Sequence, residues 1–331
     1  MPSPSTPSEP GTVLMTGAAG FIGSHTAQAL LQRGVRVVGL DNLDPFYDPA
    51  IKRANLDEIR AGRHGDRFEF VEGDICDAGL VRSVLARTKP EGIIHLAAKA
   101  GVRPSIEDPV GYARANVLGT AVMLEEARRA GCQRFVMASS SSVYGNAPSA
   151  PFAETDEVSA PISPYAATKR ACELMAHAHW HLTKMPTACL RFFTVYGPRQ
   201  RPDLAIGLFL RAVAQGEEIR VFGDGSTSRD YTFIADIVQG VLAAYDRVDR
   251  HGYRVWNLGG SAPVTLSEMV ATIARTVGRE VRIRRLPAQP GDVERTFADL
   301  ARSGAELDFR PRTAFEDGVR QHWVWMSPRL R

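Results

Sequence analysis

The chain has few cysteines, almost no net charge and no long apolar run. Four cysteines in 331 residues (Cys76, Cys132, Cys172 and Cys189) are scattered, with no C-x-x-C pair. That argues against a disulfide framework or a cysteine zinc site and for reduced thiols in a cytoplasmic protein. Forty basic and 37 acidic residues leave a net charge of +3. Such a balance gives no reason to expect a nucleic-acid or membrane partner. No apolar run approaches the roughly 18 residues of a membrane-spanning helix. His177 and His181 can share one helix face, but no H-E-x-x-H pattern or third-ligand cluster accompanies them, so no metal is expected. The first ten residues are Ser- and Pro-rich without an apolar core, which reads as a disordered tail and not as a signal peptide.

What is present is a substantial core composition, 44% hydrophobic, and one organising stretch. Val13 to Met15 reads as a buried strand, Gly17-x-x-Gly20-x-x-Gly23 as a glycine turn, and Ser24 to Leu31 as a helix. Glycine lets backbone approach an anion closely, and a helix start offers free N–H groups and positive dipole. The next apolar run, Val35 to Leu40, ends in Asp41, 24 residues after Gly17. A carboxylate there meets an adenine ribose hydroxyl in dinucleotide folds. Strand, turn, helix and acid together predict dinucleotide binding.

The chain then alternates. Ala50 to Ala61 reads as an amphipathic helix on Ile51, Leu56 and Ile59; Phe68 to Val71 is a strand, closed by Gly73-Asp74-Ile75. Asp74 is placed to meet adenine beyond a strand end. Leu80 to Thr88 is a helix, Gly92 to Ala98 a strand running into Lys99 and Arg103, and Tyr112 to Ala130 a long helix containing Asn116. Gln133 to Ala138 is a strand tipped by Ser139, Ser140, Ser141 and Ser142. Strand–helix alternation of this kind predicts a parallel sheet with right-handed crossovers. Residues 146–164 read as a surface loop, Leu190 to Thr194 as a strand, Tyr231 to Tyr245 as a helix and Arg254 to Asn257 as a strand. Thr265, with Glu268 three residues on, opens another helix as a capping box.

Pro164 starts a helix that puts Tyr165 in its first turn and Lys169 one turn along, on the same face. An ammonium at that spacing favours the phenolate and makes tyrosine a usable acid–base group. With the glycine turn, the serine tip, Leu190 to Pro198 and Ser228-Arg229-Asp230-Tyr231, the chain resembles the extended short-chain dehydrogenases/reductases, in their nucleotide-sugar epimerase/dehydratase branch. The resemblance runs from Val13 to about Trp323. It implies a Rossmann-like, doubly wound parallel α/β sheet carrying NAD and a smaller, interleaved C-terminal substrate domain. The implied division is 11–192 plus about 228–257 for NAD, and about 193–227 plus 258–331 for the nucleotide sugar. It implies NAD contacts from Gly17, Gly20, Phe21, Ile22, Gly23, Asp41, Asn42, Asp74, Ile75, Leu96, Ala97, Ala98, Lys99, Asn116, Ser139, Tyr165 and Lys169. It also implies a homodimer through the two long helices.

Within that branch the serine tip decides the chemistry. Dehydratases resemble this chain but carry Asp-Glu, and sugar-acid decarboxylases a Glu, where it has Ser141-Ser142. Elimination needs an acid and a base beyond the tyrosine, so the resemblance implies plain C4 epimerisation, a hydride leaving and returning at one carbon of a transient 4-keto sugar. Ser140, 25 residues before Tyr165, is then the proton-relaying serine, and Ser141 and Ser142 bond the sugar. Arg229 is the expected diphosphate clamp, since an arginine fork suits phosphate, and Asp292 the contact to the uridine ribose. The segments 42–56 and 199–203 are similar to those of UDP-glucuronate 4-epimerases. A sugar carboxylate needs a charged partner in a dry pocket, and the expected one is Arg201, with Arg103 or Thr194 beside it. A UDP-glucose/UDP-galactose 4-epimerase is the alternative. A non-catalytic NAD sensor is a remote one, since both Tyr165 and Lys169 are kept.

Overall fold

A computed structural model describes residues 11–147, 150–287 and 295–330. In chain order the elements that frame the molecule begin with β1 (Thr12–Thr16), α1 (Phe21–Gln32), β2 (Arg36–Asp41), α2 (Pro49–Ala61), β3 (Phe68–Glu72), α3 (Ala78–Thr88) and β4 (Gly92–His95). Next come the short α4 (Val102–Glu107) and α5 (Pro109–Tyr112), then α6 (Gly119–Ala130), β5 (Arg134–Ser140), α7 (Pro164–Thr183), β6 (Thr187–Phe192) and β7 (Thr194–Tyr196). The rest are α8 (Ala205–Gln215), β8 (Glu218–Phe222), β9 (Ser228–Phe233), α9 (Ile234–Arg247), β10 (Tyr253–Leu258), β11 (Pro263–Thr265), α10 (Leu266–Val277), β12 (Arg282–Leu286), α11 (Ala301–Leu307) and α12 (Phe315–Met326).

Seven strands form one sheet in the order β10-β6-β5-β4-β1-β2-β3, every neighbour parallel. A parallel sheet is covered on both faces, so its central strands run largely apolar, with successive residues serving opposite layers. Met15, Val37, Ile94, Val136 and Leu190 pack with Leu30 of α1 and Val241 of α9. Their neighbours Leu14, Val38, Ile93, Phe135 and Cys189 join the other layer, with Val84 of α3, Met123 of α6 and Ala176 of α7. The parallel sheet expected from the alternation and the doubly wound α/β class implied by the resemblance are both observed. The strand order reverses between β1 and β4, and the crevice beyond the carboxyl ends at such a point is where ligands bind. β10 comes late in the chain but closes this sheet beside β6.

The remaining strands make a small sheet, β11-β9-β7, and a pair, β12-β8. Thr265 caps α10: Glu268 N–H donates to its Oγ1 at 3.1 Å, and Thr265 N–H donates to Glu268 Oε2 at 2.8 Å. Two elements differ from expectation. The helix read from Tyr231 starts at Ile234, because Ser228–Phe233 is a strand whose last two residues are buried. The single strand read over Leu190 to Thr194 is two, β6 in the large sheet and β7 in the small one, parted at Phe193. On α2, Lys52 and Asn55 are buried where Ile51 is not, because that face meets the glycine turn and a loop carbonyl, not an apolar layer. Among the described residues no helix is long and apolar enough to cross a membrane. All four cysteines are free, and Cys132, Cys172 and Cys189 are buried.

Two buried histidines make stability depend on pH. His95, at the end of β4, has Nδ1 at 2.7 Å from Thr16 Oγ1 and Nε2 at 3.2 Å from Thr120 Oγ1. His322 on α12 has neither ring nitrogen hydrogen-bonded. Burial, with a contribution from Lys169, holds His95 at about 3, and burial holds His322 at about 4. The unfolded chain takes up these protons near pH 6.5, so the stability is present above that pH and lost as pH falls toward 4. His25, held at about 4 by burial, adds to these two histidines and Asp230, raised by burial to about 6, opposes them, so urea unfolding is expected to show a net loss of stability between pH 7 and pH 5. An unchanged midpoint over that range contradicts the assignment.

Candidate active site

At the switch point the glycine turn is built as backbone chemistry requires. Gly17 sits at φ +72°, and a Cβ there would lie 2.7 Å from the Ala97 nitrogen. A Cβ on Gly23 would run into the Gly17 carbonyl. The turn is tied on both sides: Gly20 N–H donates to Gly17 O at 3.0 Å and Asn55 Nδ2 donates to Ala19 O at 2.9 Å. Asp41 is 7% exposed, and its carboxylate accepts from Ala19 N–H at 3.1 Å and Leu43 N–H at 2.9 Å. Burial raises this carboxyl above its usual range, opposed by the Lys52 ammonium and those two bonds.

From this turn a cavity of about 680 Å³ runs to the serine tip of β5, within the usual size of a small-molecule site. Its walls include Gly17, Gly20, Phe21, Ile22, Gly23, Asp41, Asn42, Asp74, Ile75, Leu96, Ala97, Ala98 and Lys99. A turn that excludes a Cβ at Gly17 and Gly23, a helix start with no acidic residue in its first turn, and an acid at the next strand end fit a dinucleotide. Gly23→Ala is therefore expected to strip the purified protein of bound NAD, read as the nucleotide released on denaturation. Full retention overturns the reading of the turn.

Asn116 does not line the cavity but holds its floor. Its Oδ1 accepts from Lys99 N–H at 2.8 Å, and its Nδ2 donates to Lys99 O and to Thr168 Oγ1, both at 3.0 Å. The helix that carries it is continuous, but Ala113–Leu118 is wound as a π-helix, a form that recurs at functional sites. Lys99 itself pairs with Asp108 at 2.8 Å.

Ser139, Ser140, Ser141, Ser142, Tyr165, Lys169 and Thr194 all line the other end of the cavity. Ser163 caps α7, accepting from Ala166 N–H at 3.1 Å, and Pro164 follows at the first helical position, so Tyr165 is fixed in the first turn. Lys169 is 4% exposed and its Nζ donates to Ala138 O at 2.9 Å, which points the ammonium at the end of β5. Ser140 Oγ donates to Ser142 Oγ at 3.1 Å and accepts from Ser142 N–H at 3.1 Å. Ser139 Oγ donates at 2.6 Å to Glu173, a fully buried carboxylate that Arg191 grips through two bonds of 2.9 Å. Burial pushes Glu173 up, but Arg191, Ser139 and Arg170 outweigh it and hold the acid below its usual range.

Of the three arginines expected to bind the sugar and diphosphate, one lines the cavity. Arg201 lines it, with the guanidinium carbon 5.2 Å from the centre of the Phe46 ring. Arg103 stands over Phe222 at 5.4 Å, and Arg229 Nη1 donates to Ser228 O at 2.9 Å; neither is among the lining side chains. Asp292 lies outside the described residues.

Sequence reasoning missed Phe46, Tyr47, Lys52 and Tyr112, all of which line the cavity. Tyr112 meets Tyr165 edge to face, ring centres 6.2 Å apart, and its hydroxyl donates to Ala100 O at 3.1 Å. Its spacing of four from Asn116 was the available signal, since both then share a helical face. For Phe46, Tyr47 and Lys52 the signal was their place in the segment 42–56 that is similar to UDP-glucuronate 4-epimerases.

A family profile described as GDP-mannose 4,6 dehydratase matches residues 14–322. A protein of Rhizobium meliloti called a probable UDP-glucuronate 4-epimerase is 40% identical, over 96% of this chain and 97% of its own. The crystal structure of UDP-glucuronic acid 4-epimerase from Bacillus cereus, in complex with UDP-glucuronic acid and NAD, superposes at TM-score 0.89 and 32% identity, covering 96% of this chain and 99% of that one. UDP-glucose 4-epimerase from Thermotoga maritima, solved with UDP-glucose, matches at TM-score 0.88 and 29% identity, covering 97% and 100%.

Proposed function

Because the chain belongs to the nucleotide-sugar epimerase and dehydratase branch of the extended short-chain dehydrogenases/reductases, we propose that it interconverts UDP-glucuronate and UDP-galacturonate at C4. It is an NAD-dependent enzyme that epimerises a UDP-sugar at C4. One observation carries the choice of sugar: a guanidinium, Arg201, lines the same cavity as Tyr165 and a serine tip that holds no carboxylate at Ser141-Ser142. The absence of carboxylates there argues for epimerisation over elimination, and the guanidinium argues for an acid sugar.

NAD, when bound, supplies a reversible acceptor for the C4 hydride. We assign its cradle to the glycine turn, Asp41, Asn42, Asp74, Ile75 and the strand end Leu96 to Lys99, with Asn116 behind it and Ser139 and Lys169 at the reacting end. The chain's own part is binding and proton transfer. Tyr165 takes the C4 hydroxyl proton through or beside Ser140 and returns it once the sugar has turned over. Lys169 keeps a positive charge one helical turn away. Ser141 and Ser142 bond the sugar, Thr194 stands with Arg201 at its carboxylate, and the resemblance gives Arg229 the diphosphate and Asp292 the uridine ribose. A 4-keto uronic acid is a β-keto acid and loses carbon dioxide easily. Arg201, by holding the carboxylate near the carbonyl plane, suppresses that loss. Incubation with UDP-glucuronate is therefore expected to release no carbon dioxide, and stoichiometric release makes the protein a decarboxylase instead.

The neutral-hexose reading has its own support. Arg201 is already engaged by Asp203 through bonds of 3.0 and 2.8 Å, which spends part of its charge. We also read the chain as two interleaved domains, 11–192 with about 228–257 and about 193–227 with 258–331; the pairing of β10 with β6 supports the return to the nucleotide domain. Leu174 at 55% and Leu182 at 81% exposure support a homodimer through α6 and α7. Four free cysteines support a cytoplasmic location.

A further inference from the structure

The loop after β7 contains a contact that the assigned roles leave unexplained. Arg201 Nε and Nη2 donate to the two carboxylate oxygens of Asp203 at 3.0 and 2.8 Å, and Nη1 donates to Ala100 O at 3.1 Å. An arginine has five N–H groups, so this geometry leaves two for a ligand. The Arg201 side chain is 17% exposed and that of Asp203 39%. A ligand carboxylate reaching Arg201 thus meets a guanidinium whose charge a second carboxylate already offsets, and the two anions repel across it.

Asp203 is not what holds the loop in shape. Arg199 does that: it is 7% exposed at φ +62°, and its Nε donates to Glu58 of α2 at 2.8 Å. Gln200 N–H bonds Gly197 O at 3.1 Å, Gln200 Nε2 bonds Val195 O at 3.2 Å, and Leu204 N–H bonds Arg201 O at 3.2 Å. Arg201 also has the Ala100 carbonyl and the Phe46 ring, two contacts that do not involve Asp203. The Asp203 carboxylate therefore acts mainly through its charge.

We propose that Asp203 is a specificity-determining residue that competes with the sugar carboxylate for Arg201. It weakens the grip on an acid sugar enough for the keto sugar to turn and the product to leave. This rests on the reading of Arg201 as the partner of the sugar acid. Asn at 203 keeps an acceptor for Arg201 and removes the competing charge. Asp203→Asn is then expected to tighten UDP-glucuronate about two- to fivefold relative to UDP-glucose, the range of a partly exposed charge interaction.

The test is calorimetric titration of both UDP-sugars into NAD-loaded Tyr165→Phe protein, with and without Asp203→Asn, so that binding is read without turnover. A second readout is salt: the tightening should shrink as ionic strength rises. A ratio that is unchanged, or that moves toward UDP-glucose, overturns the proposal while leaving the acid-sugar function standing. If the single-variant protein does not prefer UDP-glucuronate and the wild type does not turn it over, the functional reading falls and takes this proposal with it.

Discussion

Tyr165→Phe is expected to lower turnover of the UDP-sugar by about 10²- to 10⁴-fold, the usual contribution of a positioned acid–base group, while NAD stays bound. The substitution removes one hydroxyl and nothing else. The ring keeps its edge-to-face contact with Tyr112 at 6.2 Å, and Lys169 keeps its bond to Ala138 O at 2.9 Å. The glycine turn, Asp41 and the floor held by Asn116 are built without Tyr165. A fall in kcat with little change in substrate KM is the signature of a group acting on the reacting atoms. Nucleotide content and kcat on the same preparation check both halves. Turnover within about tenfold of wild type removes the proton role and leaves a dinucleotide-binding fold with its chemistry unassigned.

Arg201→Ala is expected to separate acid from neutral sugars. A charge-assisted hydrogen bond in a partly dry site contributes about 1.5–3 kcal/mol. Losing it should cost UDP-glucuronate about 10- to 100-fold in kcat/KM, and UDP-glucose no more than a few-fold. The truncation also leaves the Asp203 carboxylate without its guanidinium partner, which adds more repulsion against an acid sugar than against a hexose. Equal losses for both sugars remove the reason for choosing the acid and leave the UDP-glucose/UDP-galactose reading.

The parts of the site that could be read without coordinates are those with a short, local cause. The glycine turn and its helix lie within 16 residues of one another, Tyr165 and Lys169 are one turn apart, and Asp41 ends the next strand. Each follows from backbone sterics or helix periodicity alone. The sheet followed from runs such as Val13 to Met15 and Ile93-Ile94, too apolar for anything but a strand buried on both faces. The π-helical turn at Asn116 was not legible. A widened turn reads as an ordinary helix until the partners that select it, Lys99 and Thr168, are brought alongside. The burial of Lys52 and Asn55 was not legible for a related reason. Their buried partners are the carbonyls of Asp44 and Ala19, and backbone acceptors leave no mark in composition. The boundary at Tyr231 failed because Ser228–Phe233 pairs with strands on both sides, Thr194–Tyr196 and Pro263–Thr265, and tertiary pairing overrides local preference.

The pairing of Arg201 with Asp203 shows the same limit from the other side. Two residues apart, they look like adjacent loop charges, yet the fold sets the guanidinium that Asp203 binds against the cavity and against Phe46, 155 residues earlier in the chain. Proximity in the fold, and not the residue types, turns a charged loop into a recognition element.

The central claim is that Tyr165, Lys169 and the carboxylate-free serine tip invert C4 of a UDP-uronic acid held by Arg201. Proton NMR of purified, NAD-loaded protein with UDP-glucuronate tests it most directly. UDP-galacturonate should grow to an equilibrium mixture reached equally from either epimer, with no other sugar nucleotide formed. Unchanged UDP-glucuronate, alongside brisk conversion of UDP-glucose to UDP-galactose by the same preparation, contradicts it.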